Sequence, residues 1–362
     1  MKSKLDKLIA LFALPFCFAS CAKESYTTST STVFASSIVS TVSVLGADNA
    51  AKECEDAAKA LDGSINPYLS SSYIARFNAM SAGEMEVDEY VYTLFDLSKK
   101  YNALTFGAFD PTLSALSTAW SVDSGSLTDS KNDPDSVVLP DHDLLGDYKS
   151  HFGEISAREE DGRYYLSKTS AEASLDFGGI AKGYLTDLYA AILANHSAKS
   201  ALCDVSGNLY LKGKRYDGAA KKDWKIGVAN CFGRGGAYLT GLVSGGDEYI
   251  VTSGTYERYY TKDGVKYCHL IDPFTRMPVG VEYDGAYKQS ESYLISVTVI
   301  GDEGAKCDAL ATAVCVLGAQ KGSELLDSLS LKAVIVTSDG KYKAIGDVRL
   351  LDGYMLGELE AL

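Results

Sequence analysis

Between residues 174 and 187 the chain reads Ser-Leu-Asp-Phe-Gly-Gly-Ile-Ala-Lys-Gly-Tyr-Leu-Thr-Asp. An apolar run stops at Gly178 and Gly179 and then takes up helical spacing through Tyr184, Leu188 and Ile192. Paired glycines let a backbone approach a ligand closely, and the first N–H groups of a helix have no partner within it. With Lys182 adding a cation, the segment has the layout of an anion cradle, although the same pattern also serves as a plain strand-to-helix connection. A second pattern is Asp308 and Thr312, four residues apart in a helical run that follows strand-like residues 293–300 and a turn at 301–304. On one helix face they offer a carboxylate and a hydroxyl, two hard oxygens suited to Mg²⁺, which keeps open positions for water and substrate phosphates. Spacing alone equally allows Asp308 to complement the helix dipole and Thr312 to bond back to the carbonyl of residue 308. A third segment runs from Val251 through Thr252, Ser253, Glu257 and Arg258 to the Asp263-Gly264 turn and on to His269 and Pro273. One hairpin there would set Thr252, Ser253, the Glu257-Arg258 pair and His269 along one rim. Imidazole titrates near neutrality, which makes His269 a candidate base or phosphate contact.

These groups need a scaffold. Residues 32–45 are rich in β-branched side chains and predict a strand pair or one long bent strand. Residues 48–61 and 84–101 carry helical periodicity, with Val87, Val91, Leu94 and Phe95 on one face of the second. Asp161-Gly162, Asp263-Gly264 and Asp339-Gly340 each lie between strand-like runs, so each predicts a hairpin and antiparallel pairing. The polar stretch 121–135 predicts a surface loop. The sum is an α+β fold with mixed or antiparallel sheets and helices, not a doubly wound parallel sheet.

With 46% hydrophobic and 10% aromatic residues, the 362-residue chain has ample material for a packed core. A formal net charge of −14 and the lack of any Lys/Arg run argue against nucleic acid and against electrostatic adhesion to anionic lipid. An acidic protein that holds a pyrophosphate needs a divalent cation between the two, so the anion cradle predicts a metal. Lys2, Lys4 and Lys7 precede an apolar stretch at 8–18, followed by Ala19-Ser20-Cys21. This fits a secretory signal over 1–20 cut before a lipid-bearing Cys21, as in bacterial lipoproteins; about 11 apolar residues fall short of the roughly 20 that span a bilayer. The expected organisation is a lipoprotein signal at 1–20, a Ser/Thr-rich tether at 21–31 and one domain at 32–362, held outside the cytoplasm by a lipid anchor. Of eight cysteines, Cys54, Cys203, Cys231, Cys268, Cys307 and Cys315 lie beyond the leader with no C-x-x-C or zinc spacing, and read mostly as free core thiols.

Taken together, the segments resemble the ApbE family of bacterial flavin transferases. The matching stretches are Leu175-Asp-Phe-Gly-Gly-Ile-Ala-Lys-Gly-Tyr184, Thr252 to Arg258 (Thr-Ser-Gly-x-Tyr-Glu-Arg), His269 to Pro273 (His-x-x-Asp-Pro) and Asp308-Ala-Leu-Ala-Thr-Ala313. Phe109-Asp110-Pro111-Thr112, Trp120 and the run from Tyr68 to Asn78 match as well, and all fall in the family's order from about Val33 to about Gly318. The resemblance implies a two-lobed single catalytic unit of the T-fold-related ApbE type. It implies FAD as substrate, Mg²⁺ as cofactor, and transfer of FMN to a Ser or Thr hydroxyl of a target protein with release of AMP. It further implies Asp308, Thr312 and the carbonyl near Gly179 as metal ligands, and Tyr68 as the ring stacked on the isoalloxazine. Asn78, Asp110, Gly178, Gly179, Lys182, Thr252, Ser253, Glu257 and Arg258 would line the flavin site, with His269 beside the reacting phosphate. The implied partners are flavin-accepting subunits of sodium-pumping NADH:quinone oxidoreductase or Rnf-type redox complexes. The chain departs from the family at Ala35-Ser36-Ser37, where Met-Gly-Thr is common, at Ser206-Gly207-Asn208, where Gly-Gly-Asn is usual, and at Cys307. The same residues also suit an FAD pyrophosphatase giving FMN and AMP. A non-catalytic lipid-anchored flavin carrier would not require Asp308, Thr312 and His269 together.

Overall fold

The structure, a computed structural model, describes residues 25–34, 38–123, 126–233, 238–351 and 359–362. The expected signal, Cys21 and Ala35-Ser36-Ser37 lie outside the described residues. At the centre is a nine-stranded sheet of β1 (Thr27–Val33), β2 (Ile38–Leu45), β6 (Ser200–Val205), β7 (Asn208–Lys212), β12 (Glu248–Gly254), β17 (Leu294–Gly301), β18 (Lys332–Thr337), β19 (Lys341–Ile345) and β20 (Glu360–Ala361), in that spatial order. Every pair in it is antiparallel except β19 with β20. One face is covered by α1 (Asp48–Ile65), α6 (Ala181–Asn195) and α7 (Gly304–Ser328), which supply Ala58, Leu61, Leu185, Leu193, Leu310 and Val314 to the main core. The other face packs on the ribbon β10 (Trp224–Ala229) and β11 (Tyr238–Ser244), whose Trp224, Ile226 and Leu242 form a second core with Ile250, Ile300 and Val334. Strand alternation therefore assigns each side chain of β12 to one core or the other.

Smaller elements surround this body. α2 (Tyr73–Ala79) and α3 (Glu89–Leu104) flank the sheet formed by β3 (Gly83–Val87), β5 (Arg163–Lys168) and β4 (Ile155–Glu160). The ribbon β8 (Arg215–Asp217) with β9 (Ala220–Lys222) lies apart from them. A third, aromatic-centred core joins α4 (Ser114–Ala119), α5 (Leu127–Asn132), β13 (Tyr259–Lys262) with β14 (Val265–Cys268), and β15 (Val281–Tyr283) with β16 (Tyr287–Gln289). Its buried Trp120 donates to Arg276 O at 2.8 Å and stacks on Tyr267 at 5.7 Å. This smaller lobe beside the large sheet accords with the α+β, two-lobed expectation.

Each Asp-Gly pair turns an antiparallel hairpin, at β4/β5, β13/β14 and β18/β19, and the first two place both residues at positive φ. Three expectations are corrected. Residues 84–87 are strand, because Glu84, Met85, Glu86 and Val87 alternate with period two; the helix starts after Asp88, whose carboxylate caps Val91 N–H at 3.0 Å. The Ser/Thr-rich tether becomes edge strand from Thr27 onward, since its β-favouring threonines pair in register with β2. The polar stretch 121–135 is not a bare loop either: it contains α5, with Leu127 and Ser130 buried and Lys262 Nζ donating to Asp135 O at 3.0 Å. The six cysteines after the leader are free and buried.

Candidate functional site

The site forms where α6 and α7 cross. Gly183 and Gly304 meet backbone to backbone: a Cβ on Gly183 would overlap the Gly304 carbonyl and come within 2.7 Å of Asp308 Cβ, and one on Gly304 would overlap Gly183 O and Thr186 Oγ1. Each helix then caps the other. Asp308 of α7 accepts from Gly183 N–H at 2.8 Å, while Asp187 of α6 accepts from Gly304 N–H at 2.6 Å and Ala305 N–H at 2.8 Å. Two carboxylates thus occupy two helix N-termini, where the helix dipoles favour negative charge. Burial pushes the Asp187 carboxyl up to about 6, against the pull of those two N–H groups.

This geometry changes the reading of the glycine turn. Gly178 N–H donates to Asp176 Oδ1 at 2.8 Å, Ile180 and Ala181 N–H donate to Phe177 O, and Gly183 N–H serves Asp308. Four of the turn's donors are therefore spent within the protein, and the anion seated at this helix start is Asp308 itself. Gly179 brings the backbone close to its neighbours: a Cβ there would stand a tight 3.2 Å from Phe109 and in ordinary contact, 3.5 Å, with Thr312 Oγ1. Neither Gly178 nor Gly179 needs a left-handed backbone.

Asp308 is fully buried, and its Oδ1 faces Lys182 Nζ at a loose 3.4 Å. Thr312 Oγ1 lies 3.4 Å from Ser253 Oγ. One carboxylate, two hydroxyls and the nearby backbone of Gly179 make an all-oxygen set, which suits a hard divalent cation completed by phosphate oxygens. Among the described residues there is no cluster of three or more His, Cys, Asp or Glu, so softer metals have no comparable cage.

The remaining charged groups lie on and beside the segment that joins the two lobes. His269 N–H donates to Arg258 O at 3.0 Å, and its ring Nδ1 lies 3.2 Å from the same oxygen. Nδ1 therefore carries the hydrogen and Nε2 keeps a lone pair. Burial pushes His269 down to about 3, with the charges of Arg258, Lys182 and Lys131 adding. Glu257 is reached by solvent yet walled by protein, and this desolvation pushes it up to about 7; Lys182 and Arg258 oppose the rise and Asp308 adds to it. These mutual influences bring Lys182, Glu257, Arg258, His269 and Asp308 into one electrostatic neighbourhood. We expect the His269 Cε1–H resonance to stay at its neutral-imidazole position at pH 5, whereas titration near 6.5 would refute this geometry. Unfolded, His269 takes up a proton near 6.5 and folded only near 3, so acidification through that window favours unfolding.

Other expected site residues also have partners within the protein. Thr252 lies on the far face of β12, bonded to Thr298 Oγ1 at 2.9 Å, while Ser253 faces α7. Asn78 spends its amide on Leu175, accepting from its N–H at 2.8 Å and donating to its carbonyl at 2.9 Å, and so holds the chain that enters the glycine turn. Asp110 closes its own turn onto Thr112 N–H and Oγ1 at 2.8 and 2.6 Å. The Pro111 carbonyl then accepts from Asp176 N–H. Tyr68 is 52% exposed, and its hydroxyl lies 3.3 Å from Asp123 Oδ1. Sequence reasoning gave no individual role to Gly183, Asp187 and three further residues. Lys168 is buried, and its ammonium donates to the Ala173 carbonyl at 2.8 Å and the Asn78 carbonyl at 3.2 Å. Asn208 is fully buried with neither amide atom paired, on the α-helical face of β7. Lys131 comes from α5, inside the stretch read as a loop.

The sequence model of the ApbE family matches residues 27–335. The chain belongs to the ApbE family. It is 30% identical over 297 residues to a protein of Treponema pallidum named FAD:protein FMN transferase, covering 78% of this chain and 76% of that one. A Vibrio cholerae protein of the same name is 27% identical over 279 residues, covering 76% of each. The fold is that of Pseudomonas stutzeri flavinyl transferase ApbE in its apo form, with a TM-score of 0.70 over 93% of this chain and 97% of that chain at 24% identity. The ApbE protein of Thermotoga maritima superposes with a TM-score of 0.72 at 22% identity, over 88% of this chain and 97% of that one. Within this family frame, the crossing of α6 and α7 is the part of the site that joins the glycine turn to the Asp308 helix.

Proposed function

We propose that this ApbE-family protein transfers the FMN moiety of FAD to a Ser or Thr hydroxyl of a target protein and releases AMP. The observation that supports the reading is the set of Asp308, Thr312 and Gly179 at the α6–α7 crossing, whose Lys182 also shares its electrostatic surroundings with His269, a ring whose Nδ1 faces the Arg258 carbonyl and so leaves Nε2 as the base. Family membership and relatives named FAD:protein FMN transferase support it.

In the step, the acceptor oxygen bonds to the FMN-side phosphorus of the pyrophosphate while that phosphorus loses its bond to the AMP phosphate. The hydroxyl proton goes to His269 Nε2, and bound pyrophosphate raises that base's proton affinity because it is anionic. Lys182 and Arg258 offset the negative charge that grows on departing AMP. Mg²⁺ held by Asp308 and Thr312 would neutralise the phosphates of the bound substrate. The buried amide of Asn208 on β7, a donor and an acceptor unspent within the protein, is a further candidate to hold FAD. The enzyme would work outside the cytoplasm, anchored by lipid on Cys21 beside flavin-accepting subunits of sodium-pumping or Rnf-type complexes.

The test is to incubate the protein with FAD, Mg²⁺ and such a subunit, reading covalent flavin fluorescence and AMP. We expect both products in equal amounts, and neither after chelation. AMP without labelled acceptor across these subunits would replace transfer by FAD hydrolysis.

A further inference from the structure

The C-terminal turn of α3 is closed by an unusual residue. Gly107 N–H donates to Asn102 O at 2.8 Å and Phe106 N–H to Ala103 O at 3.3 Å, the paired bonds of a Schellman cap. The residue just past the helix in such a cap is left-handed, and Gly or Asn normally fills it. Here it is Phe106, at φ 55° and 79% exposed. A bulky side chain in that conformation is strained, and this ring recovers nothing by burial. Strain kept at an exposed apolar residue points outward, to something the ring meets.

A second exposed ring lies near the next residue, Gly107. Phe274, 55% exposed, sits on a turn that Asp272 Oδ1 pins by accepting from Phe274 N–H at 2.7 Å and Thr275 N–H at 3.3 Å. Its ring edge lies against Gly107, where a Cβ would be 3.9 Å from Phe274 Cε1. Both turns lead straight into the site. Three residues past Phe106, Phe109 packs on Gly179; three residues before Asp272 is His269.

We infer that Phe106 and Phe274 form the platform on which an extended segment of the acceptor protein lies. Apolar side chains flanking its Ser or Thr pack on the two rings while the hydroxyl reaches the phosphorus near His269. The inference rests on the transfer reading above. Transfer needs a macromolecule to cover this rim, and two exposed apolar rings on turns that run within a few residues into Phe109 and His269 fit an extended peptide.

The test uses two peptides of about twelve residues with a central Thr, one carrying Leu two positions to either side and the other Ser. The protein is expected to flavinylate the Leu peptide about tenfold faster. The Phe106→Gly/Phe274→Ser variant should label both at the slower rate, bind FAD within about twofold of the parent by flavin fluorescence, and melt no lower, since Gly relieves the cap. Equal labelling by the parent overturns the platform alone. A tenfold loss of FAD affinity in the variant also overturns it, by giving the rings to the flavin. AMP release with neither peptide labelled sinks the transfer reading and the platform together.

Discussion

Asp308→Asn is expected to remove AMP release and flavin transfer together, by on the order of 1,000-fold, while leaving the fold intact. The amide oxygen can still accept from Gly183 N–H, so the cap on α6 survives and only the charge is lost. That charge is fully buried and balanced by one loose cation, Lys182 at 3.4 Å. A buried carboxylate so lightly paired is costly unless a stronger cation completes it. The variant should therefore lose the stabilisation that Mg²⁺ gives the parent, read as a Mg²⁺-dependent rise in melting temperature that vanishes in Asp308→Asn. Retained turnover in this variant would exclude Asp308 as the metal-binding carboxylate. Unchanged Mg²⁺ stabilisation with lost turnover would instead make it a group that acts on substrate directly.

The sequence made this carboxylate visible because its signal is local. Asp308 and Thr312 share a helix face by spacing alone, and the Asp-Gly hairpins follow from two residues that tolerate positive φ. What stayed hidden depends on partners distant in the chain. Thr252 and Ser253 are adjacent and chemically alike, yet strand parity sends one to Thr298 and the other to Thr312, and only the register of β12 decides which. Asn78 also bonds both ways to Leu175, 97 residues away, a positioning role that no local pattern announces. Residues 27–31 have a tether's composition and become strand only because β2 pairs with them. The anion cradle was half legible: Gly179 lies close to Phe109 and Thr312, while the N–H of Gly178 is spent on Asp176.

Gly183→Ala should destabilise the protein and cripple it, opposite to what helix propensity demands. In a solvent-facing helix position, Ala stabilises over Gly by about 1 kcal/mol. Gly63 in α1 is such a position, exposed and with nothing within 4 Å of an added Cβ, so Gly63→Ala is the matched control and should raise the urea midpoint. At Gly183 the same methyl would overlap the Gly304 carbonyl and crowd Asp308 Cβ at 2.7 Å. Both neighbours belong to the first turns of α7, which cannot give way as the end of a flexible side chain would. The helices must part, with an overpacking cost of about 1–3 kcal/mol that outweighs the propensity gain. Parting them also weakens the reciprocal caps, Asp308 on Gly183 and Asp187 on Gly304 and Ala305, which fix Asp308 against the glycine turn. A displacement of about 1 Å in a positioning contact can cost roughly 100-fold in rate. Gly183→Ala should thus lower the urea midpoint and cut AMP release by about that factor, with Gly63→Ala moving the midpoint the other way and sparing the rate. If both variants gained stability alike, the close crossing of α6 and α7 could not be what sets the distance between Asp308 and Gly179.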